Sequence, residues 1–455
     1  MRRYIVVIMT FLGIFSIYSN RVCLNVAIVA MTQKFNVTLE NGTVIEDQHF
    51  DWDSKQRGLV LSSFYYGYIW TQIIGGVLAS KFGGYYVFVF GVIGSCLMAL
   101  ITPVAASASI YLLVTVRIIE GLVEAVIMPS MHAILSRWAP VYERSRMASF
   151  CIMGCYGGTI VAMPVAGVIA SNVGWQYIFY VFGGLGSIWC VFWVLFIRPI
   201  PDKDTFITDE EVTYIVKSIG NEAEERKKII HPWKSILTSI AVWAIIISQF
   251  AENWSFITLL TQLPTFLSDV IGLNVQILGV VSAIPYLTRS CFLSIGGYLA
   301  DWCQIKGYLT TRQVRRYFSC GGFVALCASV LLATFLDNSV AVVLFLTLTV
   351  AFGGIACIGH MINALDLAPN HASVIFGLSN SVATIGGITS PLLTGEIVTE
   401  GTKEQWQIVF LVIVGMNVIG CIFYWFFARG ELQPWANSPV ESRKSMQMEN
   451  SEKNI

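Results

Sequence analysis

Twelve stretches of about 20 predominantly apolar residues run along this chain, near positions 4–31, 58–80, 85–105, 108–136, 146–171, 175–197, 238–264, 273–299, 317–336, 339–365, 372–394 and 406–428. The hydrocarbon core of a bilayer offers backbone N–H and C=O groups no water, so such segments cross it as α-helices, which satisfy those groups internally. The expected fold is an all-α membrane protein with twelve transmembrane helices. Composition agrees: 12% of the 455 residues are charged and 55% are hydrophobic, whereas a soluble domain carries roughly 25% charge. The mean hydropathy is +0.68.

A net charge of zero excludes no partner by itself, but the basic residues are placed unevenly. With both termini cytoplasmic, the segments on that side hold most of the Lys and Arg, from Arg2 and Arg3 through Arg226, Lys227 and Lys228 to Arg443 and Lys444. The opposite side holds only Lys34, Lys55, Arg57 and Lys403, the asymmetry of the positive-inside rule. The run after Arg2 and Arg3 continues through Arg21 and Asn25 to Met31, too long for a signal-peptide core, with no A-x-A-like cleavage site after it. It reads as the first span. Nearly all of the eleven cysteines, from Cys23 to Cys421, fall inside expected helices, so neither a disulfide framework nor metal-ligand spacing is expected. Cys151 and Cys155 read as small packing residues.

The one long polar stretch divides the chain. It leaves a six-helix bundle over 1–197, a cytoplasmic linker over 198–236, a second six-helix bundle over 237–430 and a cytoplasmic tail over 431–455. In the linker, Thr208 as N-cap, Glu211 closing a capping box and the Ile207/Val212 staple mark a short surface helix. Gly75-Gly76-Val77-Leu78-Ala79-Ser80 ends the second span, and Gly296-Gly297-Tyr298-Leu299-Ala300-Asp301 ends the eighth. The same pattern at the same place in each half indicates two parallel bundles related by an axis along the membrane normal, with a substrate site between them near the midplane.

Segment 110–136 carries Arg117, Glu120, Glu124 and His132 with no break in its helical pattern. A charge at the bilayer centre costs at least about 3 kcal/mol, so these groups mark a route for an ion or a charged substrate. Arg117, Glu120 and Glu124 follow i, i+3, i+7 spacing and share one face. Burial raises a carboxyl's pKa and a neighbouring arginine lowers it, so a glutamate balanced between the two can load and release a proton. His132, two turns further on, would hand the proton along. The alternative is a structural Arg117–Glu120 pair, with His132 satisfying a buried carbonyl.

Arg21, midway along the first span near Asn20 and Asn25, is a bidentate hook for a carboxylate or phosphate; the alternative is a permanent pair with an acidic residue such as Glu120 or Glu252. Tyr65 or Tyr66, in preference to Tyr68, would add hydroxyl donors. Arg289 is either a second anion hook or the partner of Glu252. Asn253 and Asn363 are polar wall residues or interhelical hydrogen bonders. Lys81, Arg137, Glu143, Arg144, Arg146 and Asp301 fall at cytoplasmic helix ends, where ion pairs between bundles can hold one state and break in another, or where they are simply solvated.

Several of these residues also carry a resemblance. Gly-Gly-x-Leu-Ala-x with Lys81 and Gly83 resembles the loop signature of the major facilitator superfamily. Arg21-Val22, Arg117-Ile-Ile-Glu120-Gly-Leu-Val-Glu124, Met131-His132, Trp138-Ala-Pro140, Glu143-Arg-Ser-Arg146, Asn253-Trp254, Leu365-Asp366-Leu-Ala-Pro369 and Gln433-Pro-Trp-Ala436 resemble its organic anion/phosphate:cation symporter family, which includes sialin, the vesicular glutamate transporters and the sodium/phosphate cotransporters. The resemblance spans nearly the whole chain and is greatest to sialin. It implies a carrier of an acidic sugar or acidic amino acid. Leu61 and Glu252 stand where the glutamate transporters carry a histidine and an arginine, which counts against glutamate. Ala364 replaces a histidine of these relatives, and Ser80 replaces the Asp that the superfamily loop keeps in the second half as Asp301.

Asn36-Val-Thr38 and Asn41-Gly-Thr43 fit the glycosylation acceptor pattern in a loop expected outside, whereas Asn253-Trp-Ser255 lies in a helix. The expected function is secondary active transport of a small organic anion by alternating access, with Arg21 binding it and protons moving through Glu120 and Glu124. Sodium-coupled phosphate uptake and a passive anion channel or sensor are the alternatives. No enzyme motif, cofactor or metal set is expected, and no nucleic-acid patch. The expected partners are the anion, H+ (or Na+) and lipid, with a monomer sufficient for function. The expected location is a multi-pass membrane protein of the plasma membrane or of a lysosomal or secretory vesicle.

Overall fold

A computed structural model describes residues 1–38, 44–140, 143–204, 206–219 and 232–437. The first half contains α1 (Arg2–Thr32), α2 (Ser54–Phe82), α3 (Gly84–Ala108), α4 (Ile110–Glu124), α5 (Ile127–Trp138), α6 (Arg144–Asn172) and α7 (Trp175–Phe196). The linker contributes α8 (Asp209–Ile219) and α9 (Trp233–Thr238). The second half contains α10 (Ile240–Asp269), α11 (Val275–Ile305), α12 (Thr311–Phe335), α13 (Ser339–Leu367), α14 (Ala372–Ile397) and α15 (Lys403–Phe427). Among the described residues, 10 helices are long and apolar enough to cross a membrane. Of the other two expected spans, one is the 29-residue α2 and the other is interrupted.

That interruption corrects the sequence reading. The segment 110–136 is not one helix: α4 stops at Glu124 and α5 starts at Ile127. Pro129 accounts for the break. It has no N–H to give the carbonyl of Ala125 four residues earlier, and its ring crowds that carbonyl. The chain turns at Ala125–Val126, and the regular ladder resumes with Ser130 N–H on the Val126 carbonyl at 3.1 Å.

Between α1 and α2 the expected loop holds an antiparallel hairpin, β1 (Lys34–Thr38) with β2 (Val44–Gln48), Lys34 opposite Gln48. Asn36 lies on β1, and Asn41 lies outside the described residues. In the linker, Thr208 caps α8 as expected, its hydroxyl accepting from Glu211 N–H at 3.4 Å. The carboxylate of Glu211 does not close a capping box. It accepts instead from the N–H groups of Arg2 and Arg3, at 2.7 and 3.2 Å, and pins α8 to the start of α1.

Small residues set how closely the helices approach. A Cβ at Gly67 of α2 would collide with the Ile118 carbonyl of α4, and one at Gly121 with the Phe64 carbonyl. This crossing brings the Phe64 ring over the charged face of α4. The two bundles meet mainly through α2 against α14 and α6 against α11. The named contacts lie away from the ends that carry the termini: Asn25 donates to the Leu260 carbonyl at 3.0 Å, Lys55 pairs with Glu396 at 2.6 Å, and Gly167 packs on Gly279. The largest apolar cluster, including Ile28, Trp175, Trp254 and Trp406, also crosses between the bundles there.

Candidate substrate and ion site

Two buried clusters of opposite charges sit in the helical core, one in each bundle. In the first, Arg21 of α1 reaches α4 and donates to one oxygen of Glu124, from Nε at 3.1 Å and Nη2 at 2.8 Å. Ser95 of α3 donates to the other oxygen at 2.7 Å. The Arg21 guanidinium is ringed by Tyr18, Phe64 and Tyr68, with centroids at 4.6, 4.3 and 5.1 Å. Three aromatic faces suit a cation and exclude water, which strengthens its attraction for an anion.

One turn earlier on α4, Arg117 pairs with Glu120 at 2.6 Å, the i, i+3 contact that the spacing allows. Arg117 also approaches the Arg21 carbonyl at 3.5 Å, so the two pairs interlock. Oε1 of Glu120 and Nε of Arg117 have no hydrogen-bond partner among the described residues. Both side chains are buried, where polar atoms are ordinarily paired.

In the second bundle, Arg289 of α11 pairs with Glu252 of α10 at 2.8 Å. It also reaches Cys357 Sγ at 3.1 Å and the Val350 carbonyl at 3.4 Å, both on α13, and lies over the Phe256 ring at 4.5 Å. Tyr156 of α6, in the first bundle, turns its hydroxyl to this guanidinium.

Arg21, Arg117, Glu120 and Glu124 therefore come together, but with one change of partner: Glu124 holds Arg21, not Glu120 or Glu252. Of the three α2 tyrosines it is Tyr68, one turn from Phe64, that stacks on Arg21, whereas Tyr65 packs with Phe64 and Ile257 where the bundles meet and Tyr66 is half-buried. His132 is not brought into the cluster, because the break at Ala125–Val126 precedes it and its side chain is exposed on α5 while Glu124 is buried. Asn253 donates to the Ala383 carbonyl of α14 at 2.8 Å and Asn363 to the Tyr424 hydroxyl at 3.0 Å, both ties within the second bundle. Of the end-lying charges, Glu143 pairs with Arg3 at 3.1 Å inside the first half. Lys81, Arg137, Arg146 and Asp301 form no ion pair among the described residues. Ser95, Tyr156, Cys357 and His360 were not singled out in the sequence. For His360 the signal is present, since it is an ionisable group inside an expected span.

Residues 10–391 and 307–450 match the Major Facilitator Superfamily. The chain is 39% identical over 438 residues to Vesicular glutamate transporter 1 of Xenopus laevis, covering 96% of this chain and 76% of that one. It is 38% identical over 452 residues to Sialin of Homo sapiens, covering 95% and 90%. Its fold is similar to that of a bacterial homolog of the human lysosomal transporter Spinster in an inward-facing, unoccupied conformation, with TM-score 0.75, 15% identity and 95% and 99% of the two chains covered. It is also similar to that of the D-xylose-proton symporter, with TM-score 0.70, 13% identity and 94% and 99% covered.

Proposed function

Because the chain belongs to the Major Facilitator Superfamily, we propose that it is a secondary active transporter which moves a small organic anion, an acidic sugar or acidic amino acid, together with protons. The observation that carries this reading is the Arg21–Glu124 pair inside its aromatic ring.

Charge balance makes the coupling. In the empty site Arg21 and Glu124 neutralise each other. An anion that takes the Arg21 guanidinium leaves Glu124 as a buried charge without a counter-ion, which costs several kcal/mol. A proton on Glu124 removes that cost, and as a carboxylic acid Glu124 still accepts from Ser95. Anion and proton thus stabilise the same state and are carried together, while either alone is disfavoured. Glu120, already held by Arg117, sets the local charge and offers a second carboxylate one turn away.

The state described here has its bundles joined at the ends away from the termini. With those termini cytoplasmic, as the distribution of Lys and Arg favours, it is the inward-facing state, and Lys81, Arg137, Arg146 and Asp301 are then the groups released from any cytoplasmic gate.

The reading is tested in proteoliposomes by uptake of labelled sialic acid, glutamate and phosphate under an imposed proton or sodium gradient. Accumulation of an organic anion that collapses with the proton gradient supports it. Sodium-driven phosphate uptake indifferent to pH would replace it with the phosphate carrier, and equilibration without accumulation would replace it with a channel.

A further inference from the structure

Three groups that this reading leaves unused converge in the second bundle. Glu252 of α10 and Cys357 and His360 of α13 each place one polar atom within 4.8 Å of the others, and all are buried. Such a trio has the composition of a metal set. Here, however, the space is claimed by the Arg289 guanidinium, 2.8 Å from Glu252 and 3.1 Å from Cys357 Sγ. A metal cation would sit against that positive charge. A proton on Glu252 would not, because it neutralises an anion and leaves no second cation beside the arginine.

The hydrogen bonds around His360 assign its open nitrogen. Ser319 donates its single hydroxyl hydrogen to the Ala356 carbonyl at 3.1 Å. With that hydrogen so placed, the 3.2 Å contact with His360 Nδ1 assigns the ring hydrogen to Nδ1. That leaves Nε2 as the bare lone pair, and Nε2 is buried with no hydrogen-bond partner among the described residues. The ring is held in place by Phe323, stacked at 6.0 Å, and by the edge of Tyr424 at 6.4 Å.

The charged and titratable groups around it come from every packed helix: Glu252 from α10, Arg289 from α11, Cys357 from α13 and Tyr424 from α15, with the paired Arg315 and Asp366 beyond Tyr424. Tyr156 faces Arg289 from the first bundle, so this cluster borders the plane where the bundles meet. The imbalance argued for Glu124 recurs here. An anionic group that takes Arg289 strips Glu252 of its counter-ion beside an unprotonated imidazole nitrogen.

We propose that Glu252, with His360 Nε2 beside it, is a second proton-accepting station, housed in the second bundle and engaged when the transported anion takes Arg289. The step moves one proton from the aqueous phase onto the Glu252–His360 pair and breaks no covalent bond. It rests on the organic-anion reading above and adds a stoichiometry to it: more than one proton crosses with each anion, one for each arginine that the anion engages.

The test is the proton-to-anion ratio of the full-length protein in proteoliposomes, with the voltage clamped near zero and labelled sialic acid and glutamate as probes. The ratio is read from the anion gradient that halts net flux at a set pH difference. The expected wild-type ratio is about 2, so that a one-unit pH difference balances a roughly 100-fold anion gradient. His360→Gln, which keeps a polar side chain of similar length, should lower the ratio toward 1 and the balancing gradient about tenfold. A wild-type ratio of 1, or a ratio that His360→Gln leaves unchanged, overturns the second station while the organic-anion reading stands. If neither probe is moved under a proton or a sodium gradient, both fall together. Should His360→Gln not fold, Glu252→Gln supplies the same readout: a ratio it lowers toward 1 supports the second station, and a ratio it leaves at the wild-type value overturns it.

Discussion

Two nitrogens of the Arg21 guanidinium converge on a single oxygen of Glu124, leaving the second oxygen to Ser95. In the proposed cycle the carboxylate is thus divided between a partner that an incoming anion captures and a partner that keeps the side chain in place after the capture. A fork that gripped both oxygens would bind more tightly and release less readily.

Glu124→Gln keeps a carbonyl for Arg21 but cannot gain or lose a proton. The expected result is loss of gradient-driven accumulation, by up to about tenfold for each pH unit imposed, since one coupled proton contributes that factor. Downhill movement should persist. Accumulation equal to wild type would show that the coupling proton travels elsewhere.

Arg21→Lys retains the charge and loses the planar fork and its stacking on Tyr18, Phe64 and Tyr68. Apparent affinity for the anion should fall by at least about tenfold, about 1.4 kcal/mol. Half-saturation measured at fixed proton gradient checks this, and an unchanged value would argue that Arg21 is purely structural.

At Gly279 a Cβ would stand 2.5 Å from the Met163 carbonyl and 3.1 Å from Gly167 Cα, where α6 and α11 close one end of the molecule. Gly279→Val should hold that end apart, because overpacking costs about 1–3 kcal/mol. The population should move toward the opposite-facing state by a factor on the order of ten. Maleimide labelling of a single reporter cysteine at Ser282, buried now on α11, should accelerate accordingly; an unchanged rate would count against the closure.

Burial works to raise the carboxyl of Glu211, but hydrogen bonds from the chain's terminal amine and from the N–H groups of Arg2 and Arg3 outweigh it and hold that carboxyl below its ordinary value. A group lowered in the native state stabilises it at every pH above the unfolded value of about 4.3, and that contribution is lost as the pH falls through the lower native value. Docking of α8 should therefore survive at pH 5 and weaken only at distinctly more acidic pH. Hydrogen exchange of the α8 amides tests it, and Glu211→Gln should give faster exchange already at neutral pH.

What the sequence made legible follows the range of each interaction. Apolar runs reveal helices because the bilayer leaves no other backbone solution, and the Arg117–Glu120 pair follows from helical spacing. The Arg21–Glu124 pair joins residues 103 positions apart, and nothing local selects Glu124 over Glu120. Helix phase does select Tyr68 over Tyr65 once Phe64 is known to face Arg21, since i and i+4 share a face. Pro129 marks the break at Ala125–Val126, and the break sets His132 apart from Glu120 and Glu124. His360 met the same standard as Glu120, an ionisable group inside a span, but its neighbours Glu252 and Arg289 lie far off in sequence and converge only through the packing of α10, α11 and α13.

Each buried arginine of the two clusters is matched by its own carboxylate: Arg21 by Glu124, Arg117 by Glu120 and Arg289 by Glu252. In the state described, these pairs leave the interior close to electrically neutral. A membrane voltage does about 2.3 kcal/mol of work on each unit charge moved through 100 mV, but these matched pairs give it nothing to act on as the empty protein reorients. In the proposed cycle voltage acts only on the anion and protons that join it, so the return stroke should run at the same rate in a polarised membrane as in a resting one.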